Sequence, residues 1–431
     1  MPGLPTDEIY LEPDRDYSIL VSAADSVRFT MARCLTEYNG HACATSSFVD
    51  ETGATMEWHD FGLIEGPGWA ANAVGGAYEL IRWARFARAQ EIERKALSVL
   101  DHVLEDGFID PATGLIYGYR KTDTDGRFLN YERTNEYFGP GSMARIACQM
   151  LWAADLIPGD SRADRLTDAA KGVMGWIDDH LRDAPNGWFP RRCKPNGEHY
   201  RPDDPIFDHS GDGLFILDLM REHTERGMHD YTTALRAKLD VFARAGGMYG
   251  SINHDTYDSH ESVSYAVAFR ALLRCARLLV DPSLRDLAYS SALAGLAGFQ
   301  MAEDRNGVAT KGLLWMEKSW DTAYLWENAE ASLAFIDAAL DRASEGERST
   351  AYQRTAVTIL RAAAKHHYGP YGFLTEGVDW NNHVGRQHHF DQAEFGAIRY
   401  TEPFLNNLHI VEPTLRYVDH FDPGHDVERW G

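Results

Sequence analysis

Between Glu376 and His409 the chain reads EGVDWNNHVGRQHHFDQAEFGAIRYTEPFLNNLH, a stretch with four histidines, four asparagines and two arginines around a proline-led helical run. Glu402, Asn406 and His409 follow at spacings of four and three, which puts them on one face of a helix over 401–420 that starts at Pro403 behind a Thr401 or Glu402 cap. Leu405, Leu408, Val411 and Leu415 form its apolar side, and Pro413 is expected to kink the helix or end it early. A polar stripe on an internal helix is costly unless paired or wetted, so the three polar residues are expected to face a cavity and bind substrate. Trp380, Asn382, His383, Arg386, His388, His389, Arg399 and Tyr400 crowd the same end. Arg386 and Arg399, joined by Arg191, Arg192 and Arg201, carry the fork-shaped cations that suit a carboxylate ligand. His383, His388 and His389 beside Asp391 have metal-ligand types but no helical i, i+4 spacing, so no metal or cofactor is expected.

Acids recur ahead of other helical runs. Asp60 and Glu65 precede one, Glu136 another; Asp208 and Asp212 lie in FDHSGDG; Glu261 opens a run, and Asp321 and Glu327 lie at the start of the next. Cleavage of a glycosidic bond needs one acid to protonate the leaving oxygen and often a second carboxylate to activate water or attack carbon. Asp208 and Asp212 have the strongest local case, because two carboxylates, His209 and two glycines share one short run and Ser210 can cap the helix; Glu136, Glu65 or Glu327 is the expected partner. Trp58, His59, Trp69 and Trp320 fall in the same connections, where an aromatic face suits the C–H face of a sugar ring.

These residues need a scaffold that brings their loops together. Apolar positions recur at helical spacing over roughly 16–35, 68–89, 90–106, 139–157, 162–182, 209–226, 228–245, 260–279, 283–301, 319–341, 346–367 and 401–420, and alternating strand-like runs are rare. Connections after the second, fourth, sixth, eighth and tenth helices are short, as antiparallel neighbours require, and those before the even helices are long. Six helical hairpins follow: an all-α fold, an (α/α)6 barrel whose long loops and positive helix N-termini line one cavity. No linker divides residues 1–431, so a single catalytic domain is expected.

With 431 residues, 44% hydrophobic, the chain can bury a large core. Its formal charge of −23 and the absence of basic runs argue against nucleic acid or an anionic membrane as partner. Five scattered cysteines without a CxxC pair speak against a disulfide framework, the acidic N-terminus is unlike a signal peptide, and a cytoplasmic location is expected. A homo-oligomer is compatible with all of this.

The layout resembles the α/α toroid enzymes of uronate glycans, including the glucuronyl hydrolases and many polysaccharide lyases. RYTEPFLNNLHIVEPTLRY is similar to the closing segment of the glucuronyl C5-epimerase C-terminal domain, which bacterial β-glucuronidases also resemble. The chain lacks room for the epimerases' β-rich portion. In the glucuronyl hydrolases an aspartate near an inner-helix start protonates the substrate's double bond, and Asp208 or Asp212 is the nearest positional match. The leading expectation is therefore a glycoside hydrolase that removes a terminal uronic acid, saturated or unsaturated, from an anionic oligosaccharide. A lyase with Tyr400 and His383 as proton-abstracting groups comes second, a sugar epimerase or isomerase third, and a carbohydrate-binding scaffold without catalysis last.

Overall fold

The computed structural model describes residues 9–12, 18–56, 62–252, 258–317, 321–368, 372–381 and 396–422. Twelve helices appear among them: α1 (Ile19–Phe29, running on through a π stretch, Thr30–Cys34), α2 (Ala73–Ala87), α3 (Gln90–Glu105), α4 (Pro140–Leu156), α5 (Ser161–His180) and α6 (Gly213–Glu225). After them come α7 (Thr232–Arg244), α8 (Ser262–Leu278), α9 (Pro282–Leu287, continuing through Ala288–Leu293 to Ala294–Ala297), α10 (Leu325–Asp341), α11 (Glu347–Ala364) and α12 (Val411–Phe421). The even helices pack each on the next, and α12 returns to α2, which closes an inner ring. The odd helices form the outer layer, and the fold is the expected (α/α)6 barrel. Composition decides the layer: nearly every residue of α4 and α10 is buried, whereas α3 and α5 bury one stripe each. No helix among the described residues is long and apolar enough to cross a membrane.

The long connections all lead into inner helices, and they carry short strands that the sequence did not announce. Two antiparallel hairpins, β1 (Leu35–Tyr38) with β2 (His41–Ala44) and β7 (His367–Tyr368) with β8 (Phe373–Leu374), follow outer helices directly. β3 (Ile64–Glu65), β4 (Tyr119–Lys121) and β5 (Arg127–Phe128) make one antiparallel sheet; β6 (Thr322–Tyr324) and β10 (Gly396–Ala397) flank β9 (Gly377–Asp379) in another. Several inner helices start later than their apolar pattern suggests. GPGWA is a turn, not a first helical turn: Gly66 sits at φ 134°, and a Cβ on Gly68 would come within 2.4 Å of the Tyr119 ring. The last helix is corrected too. Residues 403–410 form turns, α12 begins at Val411, and Pro413 lies in its first turn, where the missing N–H has no partner to lose.

The inner-helix starts are tied into a belt. Asn72, at the head of α2, accepts from Gln149 Nε2 of α4 at 2.9 Å and donates from Nδ2 to the Phe404 carbonyl at 2.7 Å. A Cβ on Gly141 of α4 would meet the Asp212 carbonyl at 2.2 Å, so α4 and the start of α6 touch backbone to backbone. Ser210 Oγ donates to Ser251 O at 3.0 Å, and Ser264 Oγ of α8 donates to Gly250 O at 2.6 Å. Ser262 Oγ donates to Glu327 Oε2 at 3.1 Å, and the Trp326 amide donates to Asn406 Oδ1 at 2.9 Å. Asn407 ties this segment outward, to Ser26 O at 2.9 Å and Thr30 Oγ1 at 2.8 Å.

Asn72 holds φ 48°, a left-handed conformation that asparagine tolerates better than most residues. Asn72→Ala removes two buried hydrogen bonds and strains that backbone, and is expected to cost about 3 kcal/mol in denaturant unfolding. As a counter-test, a Cβ added at Gly175 in mid-α5 would meet only open space, and Gly175→Ala is expected to stabilise by about 0.5–1 kcal/mol.

Candidate active site

The end of the barrel where the inner helices begin collects carboxylates from successive loops. Asp212 heads α6, Glu261 heads α8, and Glu327 lies in the first turn of α10; all three are buried, as are Glu317, Glu376 and Glu402. Ser210 Oγ lies 3.0 Å from Asp212 Oδ2 and accepts from the Asp212 amide at 3.2 Å, and Glu261 Oε2 accepts from the Ile252 amide at 2.6 Å. Ser262, next in the chain to Glu261, donates from Oγ to Glu327 Oε2 at 3.1 Å, which ties the α8 start to the α10 carboxylate. Such fixed acids can donate or accept a proton, or attack carbon, wherever a substrate meets them.

Aromatic rings make the floor. Trp69 stands edge-to-face with Trp326 at 5.2 Å and with Phe215 at 5.5 Å, and the Arg145 guanidinium lies 4.2 Å from the Trp69 ring centre. Burial pushes Arg145 down to about 10, still cationic at neutral pH. An axial cavity of about 40 Å³, room for about three waters, is bounded by Arg145, Phe215, Arg270, Glu330 and His409. Around it runs an ionic core. His409 has Glu79 Oε1 at 3.1 Å on Nδ1 and Glu330 Oε1 at 3.0 Å on Nε2; Arg270 joins Glu330 at 2.5 Å and Asp337 at 3.2 Å; Arg416 closes on Asp337. Two flanking carboxylates outweigh burial and push His409 up to about 9, while Arg270 and His409 hold Glu330 well below the usual carboxylate range.

The residues singled out from sequence divide into groups. Asp212, Glu327, Trp69 and Glu402 reach the inner-helix starts. Trp58, His59, Trp320, Asn382, His383, Arg386, His388 and His389 lie outside the described residues. Asp208 and His209 form a short 3-10 turn just ahead of α6, with His209 exposed and the buried Asp208 Oδ1 without a hydrogen-bond partner. Glu136 is exposed. Arg399 is half-buried, and Trp380 is packed in the core.

Several of these residues are placed otherwise than expected. Glu65 does not serve the mouth: it is buried against α3, held by Arg120 Nε at 2.6 Å and His102 Nε2 at 3.1 Å, because β3 turns it outward from the ring. Asn406 and His409 are committed to the protein at both ends of their polar groups, the former to Trp326 and Glu402, so they hold the belt and core in place of a ligand. Tyr400 is buried, and burial with the nearby Glu376 raises its phenol far above the ordinary value. Among the described residues one trio, Cys43, Glu65 and His102, brings metal-ligand atoms within 4.8 Å, but the Arg120 guanidinium on Glu65 opposes a second cation there. Sequence reasoning passed over Arg145, Gln149, Glu79 and Arg270. Their signal is a polar residue inside an otherwise Ala- and Leu-rich inner helix, such as PGSMARIACQMLWAADL.

No family model matches the chain, and no curated protein matches its sequence. Solved structures do match its fold. D-mannose isomerase aligns at TM-score 0.60 and 12% identity over 95% of this chain and 100% of that one. A sugar epimerase from a ruminal bacterium aligns at 0.62 and 12% over 96% and 100%, and an unsaturated glucuronyl hydrolase specific for heparin at 0.53 and 10% over 94% and 97%. The chain therefore shares the (α/α)6 toroid fold of these enzymes.

The histidine core sets a pH dependence. A folded-state value of about 9 against about 6.5 unfolded means that His409 stabilises fully below pH 6.5 and loses that contribution as pH rises through 9, on the order of 3 kcal/mol in all. Unfolding free energy measured from pH 6 to 10 is expected to fall accordingly. His409→Gln should flatten that slope and lower stability at pH 6.

Proposed function

We propose that the protein is a carbohydrate-active enzyme, and in finer terms a glycoside hydrolase that releases a terminal uronic acid from an oligosaccharide, with Asp212 and Glu327 as the acid and its partner. The observation that carries this reading is the set of buried carboxylates on successive inner-helix starts above an aromatic floor, a combination suited to gripping a sugar ring and protonating its glycosidic oxygen. Structures that share the toroid include, besides those above, a family 76 glycoside hydrolase and a polysaccharide lyase. A cytoplasmic setting fits five buried free thiols.

An epimerase or isomerase is the second reading, favoured because the chain spans the full length of D-mannose isomerase and of the ruminal sugar epimerase. Histidine chemistry would then fall to residues other than His409, whose imidazolium has no lone pair to offer.

The test is incubation with uronate-terminated oligosaccharides, followed by product mass and ultraviolet absorbance together. Release of uronate with gain of water and no absorbance is the expected outcome. A new absorbance would mean elimination, an isomeric product of unchanged mass would mean epimerisation, and binding without turnover would leave a carbohydrate-binding protein. Asp212→Asn and Glu327→Gln are each expected to slow release by about 10² to 10⁴ while binding persists.

A further inference from the structure

Two buried polar atoms without partners belong to residues that border one space. Arg145 Nη2, a donor, and Gln149 Oε1, an acceptor, make no hydrogen bond, and both residues line the axial cavity of about 40 Å³. They stand four residues apart on α4, about one helical turn, and so share a face of the helix. Each is anchored elsewhere: Gln149 Nε2 donates to Asn72 Oδ1 at 2.9 Å, and the Arg145 guanidinium packs on the Trp69 ring, 4.2 Å from its centre. A buried donor and a buried acceptor left unpaired are each costly, the charged donor more so.

The charges around the cavity decide what can fill it. Asp218, Glu330 and Glu412 line it and oppose an anion, while Arg270, Arg274 and His409, with Arg145 itself, oppose a cation. The volume holds about three waters and is too small for a sugar ring. One free donor and one free acceptor call for a small neutral group that accepts from the first and donates to the second, and water does both. The cavity also extends away from the mouth. Trp152 and Arg274, each four residues short of the ends of α4 and α8, line it, and the Arg274 side chain is a quarter exposed.

We propose that the axial cavity is a water-binding site, in which Arg145 Nη2 donates to ordered water and Gln149 Oε1 accepts from it. The site lets the Arg145 guanidinium keep its face on Trp69 while a free edge is solvated, and it brings solvent to the ion pairs of Glu330 and His409, which border the same space. It does not depend on which reaction the protein catalyses.

The test is a crystal structure of the whole protein that shows ordered water. Water oxygens within hydrogen-bond distance of both Arg145 Nη2 and Gln149 Oε1 are expected. A dry cavity, or Arg145 paired with a carboxylate in place of water, would overturn the site. The same crystals under xenon pressure give a second reading: xenon enters dry apolar cavities, so none is expected here, and xenon bound beside Arg145 would also overturn it. Ala271→Val narrows the cavity from α8 and removes no polar group. It is expected to displace at least one water and to lower the melting temperature by about 2–4 °C. Filling a dry void would leave that temperature unchanged or raise it, and such a result would count against bound water.

Discussion

Everything in this molecule depends on six inner helices starting at one level and closing into a ring. A helix start leaves its first N–H groups without partners, and six such ends facing one cavity would be a large unpaired surface. The belt answers this at each seam with a short polar contact or a glycine backbone approach, and Asn72 alone serves two seams, toward Gln149 and toward Phe404 O. The closing seam is the one with the greatest sequence separation, so its register cannot come from local chain geometry. It comes from Asn72, from Gly76, whose missing Cβ admits the Phe404 ring, and from Asn406 and Asn407.

Beneath the belt a chain of ion pairs runs through the hydrophobic core. His409, Glu79, Glu330, Arg270, Asp337 and Arg416 form a chain in which each charge meets an opposite one. Burying charges is expensive, and a hydrophobic core of the same volume would be as stable or more so. What ions supply is directional fit: a one-turn slip of α10 against α12 would leave several charges unpaired, whereas leucines would simply repack. The ionic core and the belt thus act on the same variable, the relative height of neighbouring inner helices, and so fix where each loop delivers its carboxylate.

The sequence revealed the scaffold because loop length is a one-dimensional property: short after each even helix, long before it, in every hairpin. It revealed the acids at helix starts for the same reason, since Asp212, Glu261 and Glu327 are adjacent in the chain to the helices that position them. It misplaced Glu65, because position in a long loop does not say which way a two-residue strand faces, and β3 sends that carboxylate to Arg120 and His102. It misjudged Asn406 and His409, because a polar face turned inward is the same pattern whether its partner is a ligand or another helix; only Glu330 and Trp326, some eighty residues away, decide the matter. Arg145 stayed hidden because a single cation in a helix of small apolar residues looks like a surface residue until the ring closes around it.

The two halves of the ring differ in what they offer. The α6, α8 and α10 starts carry carboxylates held by hydroxyl and amide donors, whereas the α2 and α4 starts bring Asn72, Trp69 and Arg145. In a ring of six, the α2–α4 seam lies across the axis from α8–α10. A sugar ring bound at the mouth would meet acids on one side of the axis and an aromatic and amide surface on the other. The developing positive charge of an oxocarbenium-like transition state would be stabilised on the carboxylate side.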